Sequence, residues 1–207
     1  MKKILIPIGL FIALIIGVIM SFSRGAAESP TFMREVLPKQ DGFASVGNGT
    51  TGGANATEQN VFKVTNKKEF VSALKDRKNT TPKIVLVYGT IDFDTDDTGK
   101  PLSMKDYMVD GYDFQQYLET HKPQSTAPKS LKDEQEAKRK ASQKNQSQSI
   151  TIHVPANTSI IGMDNAKLKG VNLVLDSDNV IIRNIRFESP YDYFPAWDPK
   201  DGPEGNW

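Results

Sequence analysis

The sequence lacks cysteine, has only two histidines and carries almost no excess of one charge. Without cysteine there are no disulfides, thiol nucleophiles or Cys-ligated metal sites. His121 and His153 alone argue against a histidine-rich metal site or a Ser-His-Asp triad. The 26 basic residues are balanced by 25 acidic ones, and a nucleic-acid binder would carry a basic excess. The 207 residues predict one domain, or one domain with extra segments.

The first 27 residues have the order of a secretory signal. Two lysines stand near the start, residues 4–20 form an apolar run, and residues 25–27 supply the small residues of a cleavage site. A permanent membrane anchor is the alternative, but a run of about 17 residues is at the lower limit for crossing a bilayer. We therefore expect residues 1–27 to be a signal peptide. The mature chain, 28–207, is expected to be secreted and extracellular, with no stable membrane association.

A loop, a short strand and a helix are predicted in the first part of the mature chain. Residues 47–53 are rich in glycine and predict a loop, and the missing GK[ST] motif argues against a phosphate-binding loop. Residues 61–64 alternate as a strand does. Asn66, with Glu69 three positions later, marks a helix start, and residues 79–82 mark its end. Its buried face is expected to comprise Phe70, Val71, Ala73 and Leu74.

A buried strand is predicted at residues 83–88, closed by Gly89. Four acidic residues follow it and loosely suggest a calcium loop. The EF-hand spacing fails, because the sixth position is Asp97 instead of glycine and the twelfth is Ser103 instead of glutamate. A solvated turn is favoured over calcium binding for Asp92, Asp94, Asp96 and Asp97.

Residues 106–148 differ in composition from the rest of the chain. They are rich in interleaved lysine and glutamate and hold few apolar residues. The pattern predicts a surface excursion with one or two solvated helices. A basic helix that binds a partner is the alternative, which the interleaved acidic residues disfavour.

From Ile150 onward the sequence repeats at a spacing of 21 residues. Two short apolar strands per repeat, separated by polar turns, are typical of a solenoid whose coils stack in parallel. A two-sheet sandwich is the alternative, but hairpin turns are absent between these strands. The predicted equivalent pairs are Ile150 with Val171, Ile152 with Leu173, Val154 with Leu175, Ile160 with Ile181 and Ile161 with Ile182.

The strands of the second repeat should turn apolar side chains inward. Val180 and Ile182 are predicted to face the core, and so are Ile185 and Phe187 after a change of phase. Asn184 stands at that change and tolerates the left-handed conformation that a bend requires.

Four segments together resemble the pectate lyases of polysaccharide lyase family 1, and in particular the secreted Bacillus-type enzymes. The resemblance covers essentially the whole mature chain and includes the charged excursion. It implies a right-handed, single-stranded parallel β-helix, classed as all-β, with an N-terminal helix and the helical excursion. The segments are GTTGGANAT from Gly49, TPKIVLVYGTID from Thr81, ITIHVPANTSIIG from Ile150 and DNVIIRNIRFESPYDYFPAWDP from Asp178.

The resemblance also implies calcium-dependent β-elimination on polygalacturonate. In such enzymes calcium bridges enzyme carboxylates and the substrate uronate, and an arginine removes the C5 proton. The family's calcium aspartates and catalytic arginine follow the YDYFPxWDP segment, and this sequence stops at Trp207 before any match. We therefore assign no catalytic residue and no metal ligand, and expect this chain to bind no calcium.

Residues near the end of the chain are the remaining candidates for substrate contact. Arg183 and Arg186 are predicted to point outward, where they could meet a polyanionic chain. Tyr191 and Trp197 lie among Asp192, Asp198 and Asp201, a combination that can hold sugar rings and cations. The alternative for the aromatic residues is a packed loop that covers the side of the solenoid. His153 is expected to be an ordinary surface residue.

Three interpretations follow for function. The favoured one is an inactive, truncated form of a secreted pectate lyase. The second is a non-catalytic binder of pectic polysaccharide, and the third is a half-enzyme completed by a missing C-terminal half on another chain. Polygalacturonate or pectin is the expected partner in each, with no nucleic-acid partner.

Overall fold

A computed structural model describes residues 30–198, so the predicted signal peptide and Asp201 lie outside the described residues. The strands are β1 (Val61–Val64), β2 (Lys83–Asp92), β3 (Thr151–His153), β4 (Thr158–Lys169), β5 (Asn172–Val174), β6 (Val180–Arg183) and β7 (Arg186–Glu188). The helices are α1 (Pro30–Met33), α2 (Lys67–Leu74), α3 (Met104–Tyr107), α4 (Phe114–His121) and α5 (Lys129–Ile150), with 3-10 turns at Phe43–Ser45 and Glu58–Asn60.

The named strands pair in parallel throughout the described part of the chain. One sheet has the order β1-β2-β4-β6, with β7 also paired to β4, and a second sheet joins β3 to β5. Successive coils therefore contribute a strand to each sheet, which confirms the predicted parallel stack. Five α-helices accompany the seven strands of residues 30–198, so a purely β class is not confirmed.

The predicted spacing of 21 residues holds in one sheet and is wrong by one residue in the other. Ile152 pairs with Leu173 as expected. In the larger sheet Ile160 pairs with Ile182, and Ile161 pairs with Arg183. The physical reason is the turn, since five residues separate β5 from β6 and only four separate β3 from β4.

The first strand and helix form where the sequence predicts them. The side chain of Asn66 caps α2 by accepting a hydrogen bond from the Glu69 amide at 3.0 Å. The helix ends at Leu74, however, five residues before the predicted stop. The Asp76 carboxylate accepts a bond from the Lys78 amide at 3.2 Å, and this local turn competes with the helical backbone.

The two long strands turn a corner of the coil without ending. β2 continues through Gly89 to Asp92, and the register with β4 shifts between Tyr88 and Thr90. Gly89 has a φ of 63° and therefore forms a bulge, so its prediction as the strand end was wrong. In β4 the corresponding corner is made by Asp164 and Asn165, both with positive φ.

Because β2 lies between two packed layers, its apolar residues are buried on both sides. Val85 and Val87 face the interior of the coils, whereas Ile84 and Leu86 face a second cluster on the outside. Helix α2 closes one end of the interior, where Phe70 meets Phe93 edge to face at 5.4 Å. Val71 is only partly buried, in contrast to the other three predicted residues of the helix face.

The excursion is more than a pair of solvated helices. Its helices extend from Met104 to Ile150, so Ile150 ends a helix and the strand begins at Thr151. One face of α5 is buried but mostly polar, comprising Gln135, Arg139, Ser142, Gln146 and Ile150. Arg139 of this face donates to the backbone oxygen of Phe194 at 2.8 Å, and Phe194 belongs to a separate aromatic cluster with Tyr107, Tyr112 and Tyr117, whereas Ile150 packs in the coil interior.

Phe187, which is predicted to face inward, and Leu175, the predicted equivalent of Val154, are both exposed. Leu175 is 56% exposed and Phe187 is 52% exposed, because both lie on the outermost coil of the described residues. Val180, Ile182 and Ile185 do pack against the interior cluster as predicted. Asn184 adopts a φ of 57°, which confirms the predicted left-handed bend.

Candidate functional site

The outward side of the sheet where β2, β4 and β7 end carries a grid of charged side chains. Parallel pairing places Thr90, Lys167 and Arg186 in one row and Asp92, Lys169 and Glu188 in the next. The residues between the rows, Ile91 and Leu168, are buried in the coil interior, so alternation turns the charged residues outward. We call Asp92, Lys167, Lys169, Arg186 and Glu188 the charged face.

Two ion pairs cross the charged face. Lys169 Nζ lies 2.9 Å from Asp92 Oδ2, and Lys167 Nζ lies 3.1 Å from Glu188 Oε2. The hydrogen bond to Asp92, together with the charge of that carboxylate, raises the pKa of Lys169. Lys169 therefore stays cationic at neutral pH, and Arg186 adds an exposed guanidinium to the charged face.

A tyrosine and a second aspartate border the charged face. The Tyr107 hydroxyl donates to Asp94 Oδ1 at 3.1 Å, and burial raises the Tyr107 pKa to about 12. Burial also raises the pKa of Asp94; its hydrogen bond from Tyr107 opposes that rise, and the neighbouring Asp92 adds to it. Tyr107 thus acts as a hydrogen-bond donor and not as a base.

Residues 190–198, which we call the aromatic loop, lie next to this border. Tyr193 stacks obliquely against Tyr107 with ring centroids 5.9 Å apart, and Tyr191 lies 5.0 Å from Tyr193. Burial raises the pKa of Tyr193, and the charges of Asp94 and Asp92 raise it further. Three tyrosines therefore form a row from the edge of the charged face toward solvent.

The four residues predicted to contact substrate lie in different surroundings. Arg183 binds Glu35 at 2.7 Å, donates to the Phe32 backbone oxygen and lies over the Phe32 ring, so it holds the N-terminal segment. Arg186 belongs to the charged face, and Tyr191 is 68% exposed on the aromatic loop. Trp197 is half-buried in the aromatic cluster of the helices.

The acidic loop after β2 is occupied by protein contacts. Asp92 pairs with Lys169, and the Asp96 carboxylate accepts bonds from Thr98 and Lys100 within its own turn. Lys67 Nζ donates to the backbone oxygens of Phe93 and Thr95, both at 2.8 Å. Residues 30–198 contain no group of three acidic, histidine or cysteine side chains able to hold a metal ion. The described residues therefore do not fit a calcium site.

The two histidines take part in packing and pairing. His121 is buried against the Tyr117 ring, and its Nδ1 lies 2.9 Å from the Tyr117 backbone oxygen. His153 Nδ1 lies 3.0 Å from Asp176 Oδ2, a carboxylate that also pairs with Arg77. His153 is thus a surface residue within an ion-pair network.

Sequence reasoning missed Lys167, Lys169 and Glu188. Their signal was present in the alternation of Lys167, Leu168 and Lys169, which is that of a strand with one buried side. The sequence does not show the strand register that places these lysines beside Asp92, which lies some 75 residues earlier in the chain.

No helix of residues 30–198 has the length and apolar character of a membrane span.

Comparisons with known proteins agree on one family. A family model described as "Pectate lyase" matches residues 10–105. The pectate lyase of Bacillus subtilis strain 168 is 43% identical over 208 residues, which is all of this chain and 48% of that protein. Pectate lyase A of Dickeya chrysanthemi is 33% identical over 171 residues, covering 80% of this chain and 33% of that protein.

Solved structures give the same result. A mutant of Bacillus subtilis pectate lyase has a TM-score of 0.78 and 45% identity, over 85% of this chain and 44% of that one. A pectate lyase bound to a hexasaccharide has a TM-score of 0.76 and 44% identity over the same shares. The chain spans about half the length of the Bacillus relative and a third of the Dickeya relative.

Proposed function

Since this chain belongs to the pectate lyase family, we propose that it forms part of a protein that degrades pectin by β-elimination on polygalacturonate. The observation that carries the proposal is 43% identity along the whole chain, joined to a parallel-coil fold with a TM-score of 0.78. Fold alone would not suffice, because one architecture can host several activities.

The charged face supports an acidic sugar chain as the ligand. Lys167, Lys169 and Arg186 line up along neighbouring strands and could contact successive uronate carboxylates. The two lysines are already paired with Asp92 and Glu188, which leaves Arg186 as the cation most available to a ligand. We propose Arg186 and Tyr191 as substrate contacts.

The other two predicted contacts receive less support. Arg183 is engaged by Glu35 and Phe32, and Trp197 is packed among the helices. Any contact that they make with a polysaccharide would require them to leave these partners. We therefore rank Arg183 and Trp197 below Arg186 and Tyr191 as proposed substrate contacts.

Elimination breaks the bond to the C4 oxygen after a base removes the C5 proton. We propose no catalytic residue within residues 30–198, because the two lysines of the charged face are ion-paired and the family resemblance places the catalytic arginine on coils that follow the YDYFPxWDP segment. Calcium, which the family resemblance implies, finds no fitting donor set among the described residues. Cleavage is therefore proposed for the protein in which these coils meet the family's catalytic coils.

Two alternatives remain part of the proposal. Exposed Tyr191 and Arg186 favour a non-catalytic binder of pectic chains. Exposed Leu175 and Phe187, on the outermost described coil, favour a half-enzyme completed by further coils from another chain. A secreted, extracellular location is proposed from the signal-like residues 1–27.

Two assays of the purified 207-residue chain separate these possibilities. The first follows the absorbance of unsaturated uronide released from polygalacturonate with calcium, with and without a chelator. The second measures retention on immobilised polygalacturonate against fully methyl-esterified pectin. We expect salt-sensitive retention without cleavage, and cleavage only when a C-terminal half of a family enzyme is added.

The outcomes divide clearly. Cleavage by this chain alone that the chelator abolishes would show that a calcium site is complete within the 207 residues. No retention and no complementation would contradict the proposed link to polygalacturonate.

A further inference from the structure

The aromatic loop is held by side chains of the helical excursion. It contains no helix or strand of its own, and it follows directly after β7. Gln146 Nε2 on α5 donates to the Tyr191 backbone oxygen at 2.6 Å. About two turns earlier on the same helix, Arg139 Nη1 donates to the Phe194 backbone oxygen at 2.8 Å. At the far end of the loop, the Trp197 amide donates to the Tyr117 hydroxyl at 2.8 Å.

The two residues of α5 that hold the loop are themselves fixed. Arg139 is 3% exposed, and its Nε and Nη2 bind the two carboxylate oxygens of Glu136 at 2.8 and 3.0 Å. The hydrogen bond to Glu136 raises the pKa of Arg139 although burial opposes it. Gln146 is 4% exposed. Burying such polar groups costs free energy, so their bonds specify one position of the loop instead of maximising stability.

The position of the loop decides where its exposed ring lies. Tyr191 ends the row that passes through Tyr193 to Tyr107, and Tyr107 donates to Asp94 at the border of the charged face. Aromatic rings offer flat apolar surface to a sugar ring while nearby cations bind its carboxylates. A displaced loop would separate Tyr191 from the cations of the charged face.

We propose that Arg139 and Gln146 are positioning residues for polysaccharide binding. They contact no substrate; they hold the backbone of the aromatic loop so that Tyr191 and the charged face engage one acidic chain together. The helical excursion then supports the part of the proposed binding surface that Tyr191 contributes. The inference rests on the proposed function, because it takes polygalacturonate as the ligand.

The test uses two matched glutamines of α5 in the full 207-residue chain. Gln146→Ala removes the bond to Tyr191, whereas Gln148→Ala changes an exposed glutamine of the same helix that has no bond to the loop. Hydrogen exchange of residues 190–198 is measured for both variants, with exchange in β2 and β4 as the check on global folding. Affinity for sodium polygalacturonate is measured by calorimetry at fixed ionic strength.

We expect Gln146→Ala to speed exchange in the aromatic loop alone and to weaken polygalacturonate binding by about fivefold, the worth of one hydrogen bond. Gln148→Ala should change neither. Arg139→Met should have the larger effect on both readouts, and Arg139→Lys should restore part of the affinity, because lysine keeps the charge beside Glu136.

Several results would overturn the inference. Equal hydrogen exchange and equal affinity in the two glutamine variants would show that Gln146 does not fix the aromatic loop. Faster exchange in Gln146→Ala with unchanged affinity would show that the position of the loop does not affect polygalacturonate binding. Failure of the unmodified chain to bind polygalacturonate would instead reject the proposed function, and the positioning role with it.

Discussion

Asn179 lies directly over Asn157 of the preceding coil, and its Nδ2 donates to Asn157 Oδ1 at 2.7 Å. Both residues have positive φ, 58° and 56°, and each stands in the polar turn before a strand of the larger sheet. The Asn179 Oδ1 also accepts bonds from the amides of Thr51 and Gly52, at 2.7 and 2.8 Å. One side chain thus joins two coils to the glycine-rich segment near the start of the described chain.

We expect Asn179→Ala to reduce the free energy of unfolding by about 3 kcal/mol, because two backbone amides lose their acceptor and alanine is strained at this φ. Asn179→Gly should cost less, since glycine keeps the backbone free while losing the same bonds. Urea unfolding measures both. Asn172→Ala, at an exposed asparagine of β5, is the control, and an equal loss there would contradict the role of Asn179.

The glycine-rich segment predicts a second test. A Cβ on Gly53 would lie 1.9 Å from the Lys83 backbone oxygen, whereas a Cβ on Gly89 would meet nothing within 4 Å. Gly53→Ala should therefore cost at least about 3 kcal/mol, because backbone must move. Gly89→Ala should cost about 1–2 kcal/mol from its positive φ alone. Comparable melting temperatures for the two variants would show that the segment from residue 49 does not lie against β2.

Two register partners on neighbouring strands should respond differently to truncation. Leu168 is fully buried, and Phe187, which pairs with it, is 52% exposed. Leu168→Ala should cost about 2–5 kcal/mol. Phe187→Ala should cost about 1–2 kcal/mol, since only half of its surface is buried. Thermal unfolding of the 207-residue chain measures both costs. A larger loss of stability for Phe187→Ala than for Leu168→Ala would show that other protein surface covers Phe187.

The raised pKa of Asp94 predicts a pH-dependent stability. A carboxyl whose folded pKa is above its unfolded value stabilises the fold at low pH, and that contribution is lost as the pH rises through the folded pKa. Asp94→Asn should therefore be more stable than the unmodified chain at pH 7. The difference should disappear toward pH 3.

Asparagine can still accept the Tyr107 hydrogen bond, so the variant changes mainly the charge. Unfolding is measured at intervals between pH 3 and 8, with Asp97→Asn as the control for loss of an exposed negative charge. A stability difference that does not depend on pH would contradict the assignment to Asp94.

Local patterns in the sequence were sufficient for the coil strands. Residues 61–64 alternate, residues 84–87 are continuously apolar, and Asn66 with Glu69 caps a helix, and all three elements appear where predicted. These signals depend only on side-chain periodicity and on hydrogen bonds within a few residues. The ends of β2 and α2 were less well predicted. Gly89 forms a bulge because β2 stays paired with the neighbouring strand, and Asp76 ends α2 because its side chain forms a local turn.

The helical excursion shows the opposite case. The buried face of α5 carries glutamine, arginine and serine at helical spacing, so no apolar stripe marked it in the sequence. Its burial depends on backbone oxygens of the aromatic loop and on Glu136, whose positions no local pattern gives. The same holds for the charged face, where residues from three coils meet only because the strands pair in parallel.

The sequence by itself determined the parallel coils and the family, because both are encoded in short-range periodicity and in contiguous motifs. Only the tertiary structure decided which charges face one another and which loops are held. Such contacts join residues far apart in the chain, and a turn longer by one residue is enough to change every pair that β6 makes with β4.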